Sequence, residues 1–191
     1  MGKLKKFLLF EKHVCPWWLA YSWDHRLRRL IHNPEKILKP YVSEGDFVAD
    51  IGCGMGFFSF AAAKYVGSSG HVYSVDVQKK MLDVLQKRLQ YFKNALPITS
   101  ILSDEVHQII TIPIDFLLNF WMLHEVDDKE EFLYYWHRHL KQGGKYLLVE
   151  PKIHTSRKSF EEEIRICESV GFEEIEKPII RTSRAALFRK A

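Results

Sequence analysis

The sequence predicts an α/β fold: a three-layer, doubly wound domain on a mostly parallel sheet of about seven strands, the last of them antiparallel. Three observations point there. Short apolar runs alternate with amphipathic stretches of helical period, the first run ends in a cluster of glycines, and the last two runs follow each other without a helix. Apolar strands alternating with helices imply a parallel sheet covered on both faces. Two closing strands joined directly imply that the last one turns back antiparallel, at or near the sheet edge.

The elements follow in order. An aromatic, basic segment (residues 1–33) precedes Asn33-Pro34, which opens a short helix through Lys39. Asparagine suits the N-cap, and proline at the first helical position gives up a donor that has no partner there. Phe47–Ile51 reads as a buried strand, Phe57–Val66 as a helix stopped at Gly67, and His71–Val75 as a second strand ending at Asp76. Gln78–Lys93 carries Met81, Leu82, Leu85 and Leu89 at helical spacing. A strand at Ile98–Leu102, a short helix or turn at Glu105–Ile109 and an apolar strand at Ile114–Phe120 come next. A helix over Lys129–Leu140, closed by Gly143-Gly144, leads to a strand at Lys145–Val149. Ser156–Val170 is helical up to Gly171, and the late strands fall at about Glu173–Ile180 and Ala185–Arg189.

Bulk properties bound the function. At 191 residues, 47% hydrophobic and 27% charged, the chain reads as one globular domain (34–191) plus the N-terminal segment (1–33). The net charge of +4 does not call for a nucleic-acid partner, and the basic clusters Lys3, Lys5, Lys6 and Arg26, Arg28, Arg29 read as solvated faces or a terminus. Three cysteines without a Cys-x-x-Cys pair argue against a disulfide framework or a zinc site and fit a reducing cytoplasm. No window approaches the roughly 18 apolar residues of a membrane span, and Phe7–Phe10 is too short for a signal-peptide core. The expectations are a cytoplasmic protein, no metal, no membrane and no nucleic acid, with the oligomeric state open.

Ligands of an open α/β sheet bind beyond the carboxyl ends of its strands. After the first strand stands Asp50-Ile51-Gly52-Cys53-Gly54-Met55-Gly56. These glycines allow a tight turn and a ligand against the main chain. A nicotinamide-dependent dehydrogenase uses a similar turn, but its third glycine would fall at position 57, where this chain has Phe57. Asp50 would repel a pyrophosphate and suit a ligand carrying an ammonium group. Asp76, with Val77 beside it, is placed to accept ribose hydroxyls, which fits either cofactor. Ser103-Asp104-Glu105 offers an acceptor for the exocyclic amine of adenine, or else a solvated helix cap. Asn119-Phe120-Trp121-Met122-Leu123-His124-Glu125 forms the fourth edge.

Taken together, Asp50–Gly56, the strand ending at Asp76, the Phe120–Val126 segment and the run Leu140–Glu150 resemble successive motifs of the class I S-adenosylmethionine-dependent methyltransferases. The similarity runs in order from about residue 35 to the C-terminus. It implies a seven-stranded sheet with the last strand inserted antiparallel beside the fifth. It also implies S-adenosylmethionine as cofactor and S-adenosylhomocysteine as product. Gly52, Cys53, Gly54 and Gly56 would then line the methionine part, Asp76 the ribose, Asp104 the adenine, and the backbone at Asn119 and Phe120 the amino-acid end. The start His13-Val14-Cys15-Pro16-Trp17-Trp18 is similar to that of a bacterial and archaeal subgroup of undefined substrate.

Methyl transfer from a sulfonium is an in-line displacement with a good leaving group, so positioning and water exclusion matter most. Amino methyltransferases acting on adenine, cytosine or glutamine typically carry Asn/Asp-Pro-Pro-Tyr/Phe after the fourth strand, which Asn119–Met122 is not. Asn119 alone does not build the divalent-metal site of catechol-type enzymes, and arsenite chemistry at Cys15 would need further cysteines near the site. Residues 13–24, dense in aromatic rings, read either as a lid over a small acceptor or as a helix docked on the sheet. His124, Tyr21 and His13 are the candidates for acid–base work. The expected partner is a small-molecule methyl acceptor. An RNA or protein methyltransferase, and a cofactor-binding subunit without turnover of its own, are the alternatives.

Overall fold

The computed structural model describes residues 28–92 and 94–191. Seven strands form one sheet: β1 (Phe47–Ile51), β2 (His71–Asp76), β3 (Ile98–Leu102), β4 (Ile114–Phe120), β5 (Leu140–Pro151), β6 (Phe172–Glu176) and β7 (Ser183–Lys190). Their order is β3-β2-β1-β4-β5-β7-β6. The first five are parallel, whereas β7 lies antiparallel between β5 and β6. The sheet therefore reverses order between β1 and β4, where a ligand crevice forms in folds of this kind.

Helices α1 (Arg28–Ile31), α2 (Pro34–Leu38), α3 (Ser59–Val66), α4 (Lys79–Leu89), α5 (Val106–Ile109), α6 (Lys129–His139) and α7 (Arg157–Ser169) cover both faces. Period-2 alternation divides the strands. Ala49, Val75, Leu117 and Leu148 pack with Phe132, Trp136, Phe160 and Cys167 of α6 and α7. Val48, Val72, Leu118 and Leu147 pack on the other face with Leu38 of α2 and Ala62 and Val66 of α3. The alanine run of α3 lets the helix lie close to the sheet, while Met81, Leu82 and Leu85 form the buried stripe of α4. N-caps occur where side-chain oxygens were available: Asn33 for α2, Asp128 for α6 and Ser156 for α7 each accept an amide hydrogen bond from three residues on.

Several boundaries differ from the sequence expectation. Helix α3 begins at Ser59, because Phe57 and Phe58 still belong to the turn. Helix α4 stops at Leu89, short of Lys93. Strand β6 ends at Glu176, and the residues up to Thr182 form a connecting loop. Gly143 and Gly144 do not close α6, which ends at His139; both lie inside β5. Leu140 pairs with Ile114 and Lys145 with Phe116, so the stretch between them bulges. A Cβ on Gly144 would stand 2.8 Å from the carbonyl oxygen of Lys141, which is why glycine serves there.

Candidate active site

The carboxyl ends of β1, β2, β3 and β4 converge on one crevice. The amides of Gly52 and Cys53 donate to the Val75 carbonyl at 2.9 and 3.0 Å, which ties the turn after β1 to β2. Gly54 has φ +55° and Gly56 φ +86°, conformations in which a side chain is strained. Their surroundings differ. A Cβ on Gly56 would press on Leu85 at 2.9 Å and Phe60 at 3.0 Å, whereas one on Gly54 would meet nothing within 4 Å. Gly56 thus serves packing, and Gly54 faces open space on the ligand side. Met122 closes the inner wall, its Cγ 2.5 Å from where a Cβ on Gly52 would be.

Asp76 holds this turn in shape. One carboxylate oxygen accepts from the Gly54 amide at 2.8 Å and the other from the Gln78 amide at 2.8 Å. Burial raises its pKa, against the opposing hydrogen bonds from the amides of Gln78, Gly54 and Val77. Asp50 is buried and accepts from Ser59 Oγ at 2.6 Å. Burial pushes its pKa up to about 6; the Ser59 hydrogen bond and Arg28 oppose this and the charge of Asp76 adds to it. Two carboxyls this close, poorly hydrated, form a negative well that favours a cation.

Two further acceptors point the same way. Asp104 Oδ1 and Asn119 Oδ1 are buried and have no hydrogen-bond partner among the described residues. Asn119 Nδ2 is spoken for by the Ile51 carbonyl at 3.3 Å. Buried acceptors without donors are costly and mark places where a ligand's N–H or O–H belongs. Ser103 is buried at the start of this edge, Val77 is half-buried, and Glu105 is exposed. Cys53 is buried with its thiol directed at the Gly54 carbonyl (3.5 Å), and burial pushes its pKa well up, so it lines the turn as an inert thiol.

Arg28 departs from the sequence expectation of a solvated basic face. Its guanidinium lies over a box of rings, 4.5 Å from the centroid of Phe57, 5.4 Å from Trp121, 5.6 Å from Phe120 and 6.0 Å from Phe58. His32 meets Phe120 and Trp121 edge-on from the same side. Phe120 is thereby both the end of β4 and a wall of the cation's box. Sequence spacing carries no signal for this, since the rings come from two separate turns.

A second polar cluster lies beyond β4 and β5. His124 sits in a 3-10 turn (Leu123–Glu125), and its Nδ1 contacts Glu150 Oε2 at the end of β5. Burial disfavours the charged imidazole, but the hydrogen bond and charge of Glu150, with Glu125 and Glu163 behind, outweigh it and raise the pKa. Glu150 is fully buried and is the partner of His124. His13, Cys15 and Tyr21, like the lid over residues 1–33 up to Leu27, lie outside the described residues. Among the described residues no cluster of His, Cys, Asp and Glu is arranged to hold a metal ion, and no helix is long and apolar enough to cross a membrane.

A crevice with a glycine turn open to a ligand, a negative well and orphaned acceptors at β3 and β4 fits a cationic nucleoside-type cofactor. Comparison with known proteins agrees. A family model described as a methyltransferase domain matches residues 48–144, just over half of the chain. The demethylmenaquinone methyltransferase of Lactobacillus johnsonii is 34% identical over 110 residues, covering 57% of this chain and 45% of that protein. The chain spans less than half the length of the curated relatives it matches. An S-adenosylmethionine-dependent methyltransferase of Aquifex aeolicus superposes with a TM-score of 0.80 at 23% identity, covering 93% of this chain and 100% of that one. Aeropyrum pernix fibrillarin, solved with natively bound S-adenosylmethionine, superposes at 0.61 with 19% identity over 90% of this chain and 74% of its own. The glycine turn, the carboxyl pair and the 3-2-1-4-5-7-6 sheet thus have one explanation: the chain belongs to the methyltransferase-domain family, the class I S-adenosylmethionine-dependent methyltransferases.

Proposed function

We propose that the chain transfers the cofactor's methyl group to a small, largely apolar acceptor. The observation that carries this is the rim of the acceptor side. Its loops are short, Lys152–Ser156 after β5 and Lys177–Thr182 before β7, and they present the exposed side chains of Ile153 and Ile179. Leu30 and Ile31 of α1 are exposed beside them. His32 Nε2 meets the Arg181 carbonyl at 2.7 Å, and the Lys152 amide donates to the Thr182 carbonyl at 3.1 Å, so these segments form one edge. Exposed aliphatic groups along this edge suit an apolar molecule better than a polyanion. The name of the Lactobacillus johnsonii relative, a demethylmenaquinone methyltransferase, is consistent with such an acceptor.

In this scheme Gly52, Cys53, Gly54 and Gly56 receive the methionine part, Asp76 with Val77 the ribose, Ser103 and Asp104 the adenine edge, and Asn119 and Phe120 the amino-acid end. S-adenosylmethionine supplies an activated methyl group when bound. The residues' own task is to hold it by the negative well of Asp50 and Asp76 and to keep water out. His124 is the base for an acceptor that must lose a proton, and residues 1–33 are the lid.

Calorimetry with S-adenosylmethionine, S-adenosylhomocysteine and NAD tests the cofactor assignment: binding of NAD and of neither sulfur compound would sink it. Methyl-labelled cofactor incubated with fractionated lysate tests the acceptor. Label is expected in the organic-extractable fraction. Label in RNA or protein, with steep salt dependence, would overturn the small-molecule assignment, and no label in any fraction would favour a non-catalytic subunit.

A further inference from the structure

Four exposed aliphatic side chains come together at one edge of the fold. Leu30 is 76% exposed, Ile153 83%, Ile179 102% and Ile31 44%. Single exposed aliphatics are ordinary, whereas a cluster of them marks a surface that something covers. The four belong to three segments tied at Arg181 and Thr182. The His32 ring meets the Arg181 carbonyl at 2.7 Å and the Thr182 hydroxyl at 3.1 Å, and the Lys152 amide donates to the Thr182 carbonyl at 3.1 Å. None of the four is more than two residues from one of these anchors, a reach of about 7 Å along the chain. The edge is fixed from beneath, because His32 and Ile180 are buried and the Trp121 indole donates to Ser183 Oγ at 2.9 Å. His32 also meets Phe120 edge-on, so the edge adjoins the end of β4 and the crevice there.

Positive charge is segregated onto the same segments. Residues 29–32, 152–159 and 177–182 carry Arg29, Lys152, Arg157, Lys158, Lys177 and Arg181, all exposed, and no Asp or Glu. Those six charges exceed the +4 of the whole chain, so the remainder of the molecule is net negative. Acids from outside the segments engage half of them: Glu35 pairs with Arg29, Glu161 with Arg157 and Glu174 with Lys177. Lys152, Lys158 and Arg181 have no ion pair among the described residues.

We propose that this edge docks on an anionic lipid bilayer, with Leu30, Ile153 and Ile179 entering the headgroup–acyl boundary and Lys152, Lys158 and Arg181 meeting the acidic headgroups. Interfacial binding draws on both terms, buried apolar area and attraction between basic side chains and anionic lipid. A polyanion such as RNA would use the cations and leave the isoleucines in water, so the bilayer fits the whole edge and RNA only part of it. The sequence expectation of no membrane rested on the lack of an apolar span, and a surface that lies on a bilayer needs none. The inference rests on the apolar-acceptor reading for its purpose: an acceptor held in lipid reaches the crevice from the surface on which the protein sits.

Co-sedimentation of the full-length protein with extruded vesicles tests this. Vesicles of equal parts phosphatidylcholine and phosphatidylglycerol are expected to bind it at least about tenfold more tightly than phosphatidylcholine alone, and less tightly as salt rises. The double variants Ile153→Ser/Ile179→Ser and Lys152→Glu/Arg181→Glu should each weaken that binding at least about tenfold. Tyr91→Ser, at a residue 86% exposed outside this edge, and Lys87→Glu should leave it unchanged. Because the altered side chains are exposed, Tm should not move in any variant. Absent vesicle binding overturns the proposal, and so does vesicle binding that survives the isoleucine pair. A lowered Tm in the isoleucine pair would show that the chain itself covers this face, and a dimer dissociated by that pair would show that a second copy does. Tighter binding to RNA than to anionic vesicles would assign the face to nucleic acid. The acceptor reading fails separately. Methyl label in RNA or protein with vesicle binding intact defeats only the acceptor, whereas label in the organic-extractable fraction without vesicle binding defeats only the docking.

Discussion

Asp76 and Gly54 come from neighbouring strand ends, and the carboxylate of the first accepts the amide of the second at 2.8 Å. In the proposed placement, the residue that would hold the cofactor's ribose therefore also shapes the turn that would receive its methionine part. Asp76→Ala removes a charged hydrogen bond to the loop and the acceptor for the sugar. A charged hydrogen bond contributes about 1.5–3 kcal/mol. Affinity for S-adenosylmethionine is therefore expected to fall about 10- to 100-fold by calorimetry, with Asp76→Asn intermediate.

The buried Asp50 makes stability depend on pH. Its folded pKa, about 6, lies above its ordinary 3.8. An acid raised in this way favours folding when protonated, so its contribution is present below about pH 4 and is lost as pH rises to about 6. Asp50→Asn removes that loss. Urea unfolding at pH 8 is expected to show the variant more stable than wild type by up to about 3 kcal/mol. At pH 4 the two should be nearly equal, and S-adenosylmethionine should bind more weakly to the variant.

Arg28 contributes both packing and charge. Arg28→Ala should cost about 1–2 kcal/mol for a partly desolvated cation over aromatic rings, read as a lower urea midpoint. Because Arg28 is among the groups holding the Asp50 pKa down, the variant should also titrate Asp50 at higher pH. An unchanged midpoint and an unchanged Asp50 would show that the guanidinium does not occupy the ring box.

Two glycines of one turn should respond differently. Gly56→Ala forces a Cβ against Leu85 and Phe60 at positive φ and should cost about 2–3 kcal/mol of stability. Gly54→Ala meets open space and should cost about 1 kcal/mol, yet it projects into the space proposed for the cofactor. Thermal melts with and without S-adenosylmethionine check this. The ligand-induced rise in Tm should be lost in Gly54→Ala, although that variant is the more stable of the two.

Much of this was readable in linear order. Short, largely apolar runs located β1, β3 and β4 to the residue. The carboxyl-end residues of those strands predicted the crevice, because parallel strands bring their ends to one edge. Gly143-Gly144 misled for a local reason. Glycine after a helical stretch usually marks its end, but here it marks a bulge where β5 bends past Asp115.

The glycine turn from Asp50 to Gly56 and the alternation of strands with helices are properties of the sequence by itself, since each rests on neighbours within a few residues. Only the tertiary structure decided the rest. It set the Arg28 guanidinium over a box of rings, made Asp76 the clasp of the turn, and joined His124 to Glu150. Those groups are tens of residues apart along the chain. Their contacts exist only once the sheet and its two helical layers have closed around them.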